Sequence, residues 1–413
     1  MSAFRASEVF LRLSPRALRW VWQRRRPRPA ELRELFEELG ATYIKLGQLV
    51  ASSPSLFPRE YVEEFSKCLD RSPPISYIRI RSIIEKDLGA TPESFYEWID
   101  PNPLATASIA QVHAARLHGG RDVVIKVQKP GVEDLLSTDM NFLFVMTRVV
   151  EWLSPGLGRE SITGIVEELY QSMIDECDFV KEANNLIAFR EFLERSGSAA
   201  VVAPMPHLAA SGQRVLTMDR LFGTPLTDES AFEDTTALAG AVMEGLDVWF
   251  HSLLECDFFH ADLHNGNLLL LEDGRLGFID FGLVGRVPRQ HWTLIGQLLA
   301  ALSAQDAEKV AICLCEVGMT SPETSVTELA RDIERLFSKA DQLDVGGANL
   351  ALDSVNGLLL DLAGVGAAHG VRFPRQFSLV LKQLLYFDRF ISYFQSSGAA
   401  YQAPDWTAAY EEL

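Results

Sequence analysis

The sequence predicts an α+β protein of two lobes, with a helical extension ahead of them and a second lobe built mostly of helix. Three observations carry that expectation. A chain of 413 residues with 47% hydrophobic and 23% charged residues is globular in composition and long enough for two to three domains. Between about residues 102 and 217, β-type runs at Ala110–Leu117, Val123–Val127 and Arg214–Met218 bracket long stretches of helical periodicity at Glu133–Trp152 and Ile162–Arg195, which is the pattern of a mixed class. On either side of that segment helical spacing dominates.

Residues 1–29 form a basic arm. Eight arginines in residues 1–28 stand against one acid, Glu8, so this head carries +7 and the rest of the chain −25 of the formal −18. An acidic body repels nucleic acid and excludes it as the main partner. The arm reverses that inference for membranes: Trp20 and Trp22 beside Arg24–Arg26 suit a peripheral, anionic surface, because indoles favour headgroup depth and arginines attract anionic lipid. A solvated leader is the plainer alternative, and the arginine-rich start also resembles a transit peptide, while Arg12, Arg16 and Arg19 interrupt any secretory signal.

Residues 30–101 read as a helical unit, with apolar Leu32, Leu35, Phe36, Leu39 and Tyr43 at helical spacing over Ala30–Leu49, a second helix from about Pro58 and a turn at Gly89. Residues 102–217 form the first lobe with a helical insertion. Residues 218–345 form the second, interrupted by strands at Leu268–Leu271 and Leu276–Asp280 around the Asp273-Gly274 turn. Residues 346–413 are a further helical segment joined through Gly346–Ala351. Asp361 and Lys382 break its apolar runs before they reach the roughly 18 residues of a membrane span. The expected localisation is cytoplasmic with peripheral membrane contact. Five cysteines without paired spacing fit reduced thiols.

The chemistry concentrates in His260-Ala261-Asp262-Leu263-His264-Asn265-Gly266-Asn267, followed by a strand, a turn and Asp280-Phe281-Gly282. An acid, an Asn five residues on and a second acid beyond a strand–turn–strand make the layout of phosphoryl transfer. Asp262 would handle the proton, Asn267 and Asp280 would offer hard oxygens to Mg2+, and Gly282 would let the backbone turn. Upstream, Lys126 stands at an inward position of a β-run, placed to reach ATP phosphates. A buried lysine needs an anionic partner to stay charged, and by spacing either Glu176 or Glu182 could serve. No glycine-rich loop precedes it: Ala105, Thr106, Ala107 and Ser108 permit close approach to phosphate but not the positive φ of glycine.

These residues resemble the UbiB family of atypical kinases, which includes the Coq8-like proteins. Over roughly residues 30–290, Lys45-Leu46-Gly47-Gln48 is similar to its KxGQ signature, Ala105–His113 to its alanine-rich loop, Glu176-Cys177-Asp178 to its ExD motif, and the two loops above to its catalytic and metal loops. The resemblance implies an atypical protein-kinase-like bilobal fold. It also implies that Lys45 reaches Glu176 and Asp178, that Lys126 pairs with Glu182, and that Met218 and Asp219 lie at a hinge against adenine. Four positions depart from the family pattern: Thr106 interrupts the alanine run, Asp219 stands in place of Glu, and Leu263 and Asn265 replace prolines.

The implied function is a Mg2+-dependent ATPase or small-molecule or lipid kinase supporting isoprenoid-quinone or other lipid metabolism at a membrane. Its partners would be ATP and a lipid or quinone intermediate, with a homodimer left open. The catalytic loop is also similar to that of aminoglycoside- and choline-kinase-like phosphotransferases, which lack the Lys45 and Glu176–Asp178 motifs. A nucleotide-sensing pseudokinase scaffold is the non-enzymatic alternative. A conventional protein kinase ranks last, because no Ala-Pro-Glu segment follows Gly282.

Overall fold

The computed structural model describes residues 27–51, 59–65, 73–153, 162–256, 258–286, 304–320 and 324–343, together with isolated residues elsewhere. The chain divides into two compact units: residues 1–187 with 204–220, and residues 188–203 with 221–413.

In the first unit the helices with described bounds ahead of the sheet are α1 (Pro29–Leu39), α2 (Ala41–Ala51), α3 (Arg59–Phe65) and α4 (Tyr77–Leu88). The single helix expected over Ala30–Leu49 is two, because Gly40 adopts φ 95° and closes α1, a backbone state that favours glycine. Described residues of the basic arm lie on α1. Val9 is buried with Leu35, Leu39 and Tyr43, and the Arg16 guanidinium grips both carboxylate oxygens of Glu38 at 2.8 and 2.9 Å, while Arg12 donates to the Glu38 carbonyl at 2.7 Å.

The sheet holds β1 (Tyr96–Thr106), β2 (Ala110–Leu117) and β3 (Asp122–Gln128); after the chain has passed through β4 (Val201–Val202) of the second unit, β5 (Val215–Asp219) joins it in the antiparallel order β1-β2-β3-β5. Strand β1 lies where the sequence pattern showed no strand. Its edge position tolerates Pro101 and Pro103, whose missing N–H groups would break a central ladder, and its pairing with β2 shifts register around them. On one sheet face Tyr96, Ala115, Val123, Ile125, Val127 and Val215 pack with Ile80 and Ile84 of α4. That leaves the alternate residues Val112, Val124, Lys126, Leu216 and Met218 on the opposite face, with Val112 beside Lys126, Val124 beside Met218 and Lys126 beside Leu216.

Helices α5 (Val132–Leu153) and α6 (Ile162–Glu176) follow β3 and pack through Leu136, Met140, Val166 and Met173. The helical pattern over Ile162–Arg195 breaks at Cys177-Asp178 into α6 and α7 (Phe179–Ser196). Asp178 causes the restart: its carboxylate accepts the Lys181 N–H at 3.0 Å, satisfying one of the open donors at the start of α7.

In the second unit β4, β9 (Leu276–Phe278), β8 (Leu268–Leu271) and β6 (Gly223–Pro225) form a sheet in that order, parallel only between β4 and β9. Helix α8 (Thr235–Glu255) starts at Asp234, which accepts the Ala237 N–H at 2.9 Å. A two-residue ladder of β7 (Phe259–His260) with β10 (Val284–Gly285) frames the loops between them. Gly285 permits it, because a Cβ there would land on the Phe259 ring. Helices α9 (Ala307–Val317) and α10 (Val326–Leu343) bury Val310, Leu314, Leu329 and Ile333, and β11 (Met319–Thr320) pairs with β12 (Val371–Arg372). No described helix is long and apolar enough to cross a membrane. The expected joint at Gly346–Ala351 lies outside the described residues.

Candidate functional site

The first unit organises its chemistry around Lys126. The ammonium lies 2.9 Å from both carboxylate oxygens of Glu182, with side-chain exposures of 11% for Lys126 and 0% for Glu182. The Phe179 ring is 5.3 Å from the same nitrogen and adds its electron-rich face to the cation's environment. Glu182 belongs to the first turn of α7, where the helix dipole favours an anion. Of the two carboxylates that spacing left open, Glu182 takes Lys126 and Glu176 takes Lys45, at 2.8 Å with both side chains 19% exposed. Asp178 is exposed and caps α7. Gln48 lies on α2 with Lys45; its side chain is outside the described set. Between the two acids Cys177 is buried, which pushes its thiol up to about 11 and makes it inert at neutral pH.

The alanine-rich segment is a tight hairpin. Ala105 and Thr106 end β1, and the Ala107 N–H donates to the Ala110 carbonyl at 2.9 Å. Ser108 is buried, and Ile109 is sunk among Val132, Leu136, Met173 and Cys177. No residue from 105 to 109 has positive φ. The Lys129 N–H donates to the Ile109 carbonyl at 2.7 Å. The Gln111 amide exchanges two hydrogen bonds with the Ile75 backbone, at 2.9 and 3.2 Å. The hairpin is therefore fixed by packing on one flank and by hydrogen bonds on the other.

Met218 is buried on the Lys126 face of β5. Asp219 engages groups beside it: its carboxylate lies 2.8 Å from His207 Nε2 and 3.4 Å from Arg121, and its N–H donates to the Met205 carbonyl at 2.9 Å.

The second unit holds the acidic loops. Asp262 is partly buried with Oδ2 3.7 Å from His264 Nε2. Its N–H donates to His260 Nδ1 at 3.1 Å, and its carbonyl accepts from Asn267 Nδ2 at 2.9 Å. Asn267 is buried and uses its amide nitrogen in that bond, which makes its amide oxygen the ligand atom it can offer. Asp280 adopts φ 65°, and Gly282 does not, so the turn expected at the glycine is made by the acid itself. The Gly282 N–H donates to Asp280 Oδ1 at 3.2 Å, a local bond that helps an aspartate hold the left-handed state. Beneath the loop the Phe281 ring lies 4.9 Å from Phe189 and 4.6 Å from His260. His260 is completely buried, and burial pushes its pKa down to about 4, so the imidazole is neutral, with Nδ1 accepting from Asp262.

The chemistry of the Asn267 and Asp280 oxygens fits Mg2+, which takes one or two protein oxygens and completes its shell with phosphates and water. Among the described residues no three His, Cys, Asp or Glu side chains converge as a closed metal site would require.

The model of the ABC1 atypical kinase-like domain matches residues 67–314. The chain belongs to the ABC1/UbiB family of atypical kinases. It is 46% identical over 383 residues to an uncharacterized chloroplastic aarF domain-containing protein kinase of Arabidopsis thaliana, covering 88% of this chain and 71% of that protein. It is 33% identical over 387 residues to a probable protein kinase UbiB of Aeromonas hydrophila, covering 91% and 69%. A Mycobacterium tuberculosis protein solved in complex with erythromycin shares the fold at a TM-score of 0.55, with 20% identity over 93% of this chain and 94% of that one.

The ABC1 domain match encloses Lys126, Glu176, Glu182, Asp262, Asn267 and Asp280 and leaves Lys45 and Gln48 outside. Sequence reasoning missed the apolar residues beside Lys126 (Val112, Val124 and Leu216), although strand alternation through Lys126 points to them. His260 opens the motif read from the sequence but carried no role there; its ring accepts the Asp262 N–H.

Replacing Lys126 with Met strands a fully buried carboxylate, and the expected loss is about 3–5 kcal/mol, read as a lower urea midpoint of the full chain. Adding Glu182→Leu to Lys126→Met should recover most of it. For His260 the folded pKa of about 4 lies below the ordinary 6.5, so as pH falls the unfolded chain takes up the proton first. Stability is full above about pH 6.5 and declines towards pH 4, by on the order of 3 kcal/mol from this group. Melting curves across that range should be flatter for His260→Asn than for the wild type.

Proposed function

We propose that this chain binds Mg2+-ATP and either hydrolyses it or transfers its γ-phosphoryl group to a lipid or other small molecule. The buried Lys126–Glu182 pair carries the reading. A cation held in place at the cost of burying a full negative charge is a poor choice for stability alone and a good one for meeting a polyanion. In this reading Lys126 contacts the phosphates, and Val112, Val124, Leu216 and Met218 offer the adenine an apolar face. The hairpin Ala105–Ser108 covers the phosphates. Asp262 accepts or orients the acceptor's proton, and Asn267 and Asp280 hold Mg2+, which neutralises charge developing on the phosphates. Asp219 contributes backbone at the hinge, its carboxylate being occupied by His207 and Arg121. Lys45, paired with Glu176, and Gln48 belong to an extension that restricts access to this site and excludes protein substrates.

The resemblance to UbiB proteins supports a role in isoprenoid-quinone or other lipid metabolism at a membrane. Trp22, 85% exposed, and the exposed Arg19 support peripheral contact through the arm, whose Arg12 and Arg16 are engaged by Glu38. The alternative of a phosphotransferase acting on a soluble alcohol draws on the same catalytic loop; the Lys45–Glu176 pair weighs against it.

Purified full-length chain with Mg2+-ATP and anionic liposomes should release phosphate, and Asp280→Asn should lower that rate by at least about 100-fold, in line with the loss of a preorganised charge-stabilising group. Equal rates in wild type and variant would sink the reading, and stoichiometric transfer to a soluble alcohol would replace it with the alternative. Deleting residues 1–28 should weaken sedimentation with phosphatidylserine vesicles, an effect that fades at high salt; unchanged binding would leave the arm as a leader only.

A further inference from the structure

We propose that Gln383, which lies beyond the matched family domain, is a positioning residue for Asp262. This rests on the reading of Asp262 as the carboxylate that handles the acceptor's proton. The Gln383 side chain is fully buried. Its amide oxygen accepts the Leu263 N–H at 2.9 Å, and its amide nitrogen donates to the Ala261 carbonyl at 3.0 Å. These two groups belong to the peptide units on either side of Asp262, so one side chain splints both bonds about which that residue turns. The amide orientation follows from its partners, since an N–H must meet the oxygen and a carbonyl must meet the NH2 group.

The remaining backbone groups nearby are also engaged. Ala261 N–H donates to Leu283 at 3.1 Å, Asp262 N–H to His260 at 3.1 Å, and the Asp262 carbonyl accepts from His264 N–H and Asn267 Nδ2, each at 2.9 Å. Gln383 reaches the Ala261 carbonyl and the Leu263 N–H from outside the loop, about 120 residues further along the chain. It is helical, in a region where Leu379, Val380, Phe387 and Phe390 are buried. Phe387 stacks edge-on to Trp249 at 5.0 Å, and the Trp249 indole donates to the His260 carbonyl at 2.8 Å. Packing alone would be served by Leu or Met; a buried primary amide is tolerated where both its ends are satisfied. Glutamate keeps the acceptor and, once ionised, loses the donor, while Met loses both.

The test compares full-length wild type, Gln383→Met and Gln383→Glu by amide hydrogen exchange at Leu263 and by the kcat and KM of Mg2+-ATP hydrolysis. Loosening a positioned group by about an ångström costs on the order of 100-fold in rate. Gln383→Met should therefore lower kcat by about 10- to 100-fold, leave the KM for ATP within about twofold and speed Leu263 exchange by at least about tenfold. Gln383→Glu should keep Leu263 protected and still lower kcat, by a smaller factor. Unchanged exchange at Leu263 in Gln383→Met, or wild-type kcat in either folded variant, overturns the proposal. If Gln383→Met does not fold, Gln383→Glu decides through kcat. If the wild type hydrolyses no ATP, the functional reading fails separately, and Leu263 exchange still decides whether the splint exists.

Discussion

A charge that cannot be left alone organises the first unit. Glu182 has no exposed side-chain surface, and an isolated carboxylate in such a place would be protonated or would refuse to be buried. Lys126 resolves this, and several features converge on the requirement: β3 presents the ammonium on the face opposite the packed core, α7 restarts at Asp178 so that Glu182 falls in its first turn, and the Phe179 ring lies 5.3 Å from the ammonium. The sheet, the helix break and the helix cap thus answer to one contact between residues 56 positions apart.

The second unit answers a different problem, that of holding acidic side chains in chosen positions without burying them. It does so through the backbone and through uncharged groups beneath. A neutral imidazole, an asparagine amide and a glutamine amide hold the peptide units around Asp262, and the Phe189–Phe281–His260 ring contacts form the floor. Neutral supports are suited to this task, because a charged group so close would change the affinity of the acids for protons and cations.

Much of this organisation was legible in the sequence, for physical reasons that differ by element. Strands β2 and β8 follow alternation and apolar runs and stand where those patterns predict them. Strand β1 was hidden by Asp100-Pro101-Asn102-Pro103, which reads as a turn and is tolerated only because the strand is an edge. The breaks at Gly40 and Cys177-Asp178 were overlooked because apolar spacing runs through them; the signals were the glycine itself and an aspartate placed as a cap. Lys126 was readable from its strand, yet spacing could not choose between Glu176 and Glu182, which sit six residues apart on successive helices. Gln383 was invisible, since nothing local marks a glutamine that bonds a backbone 120 residues away.

Asp280 holds its backbone at φ 65°, a region in which a side chain costs of order 1 kcal/mol and glycine costs little. Folding and chemistry therefore pull this one position in opposite directions. A glycine would relax the turn and take away the carboxylate, so the residue that suits this backbone best is not one that can offer an oxygen to a cation. The acid at position 280 therefore stands at a backbone cost that glycine would not carry.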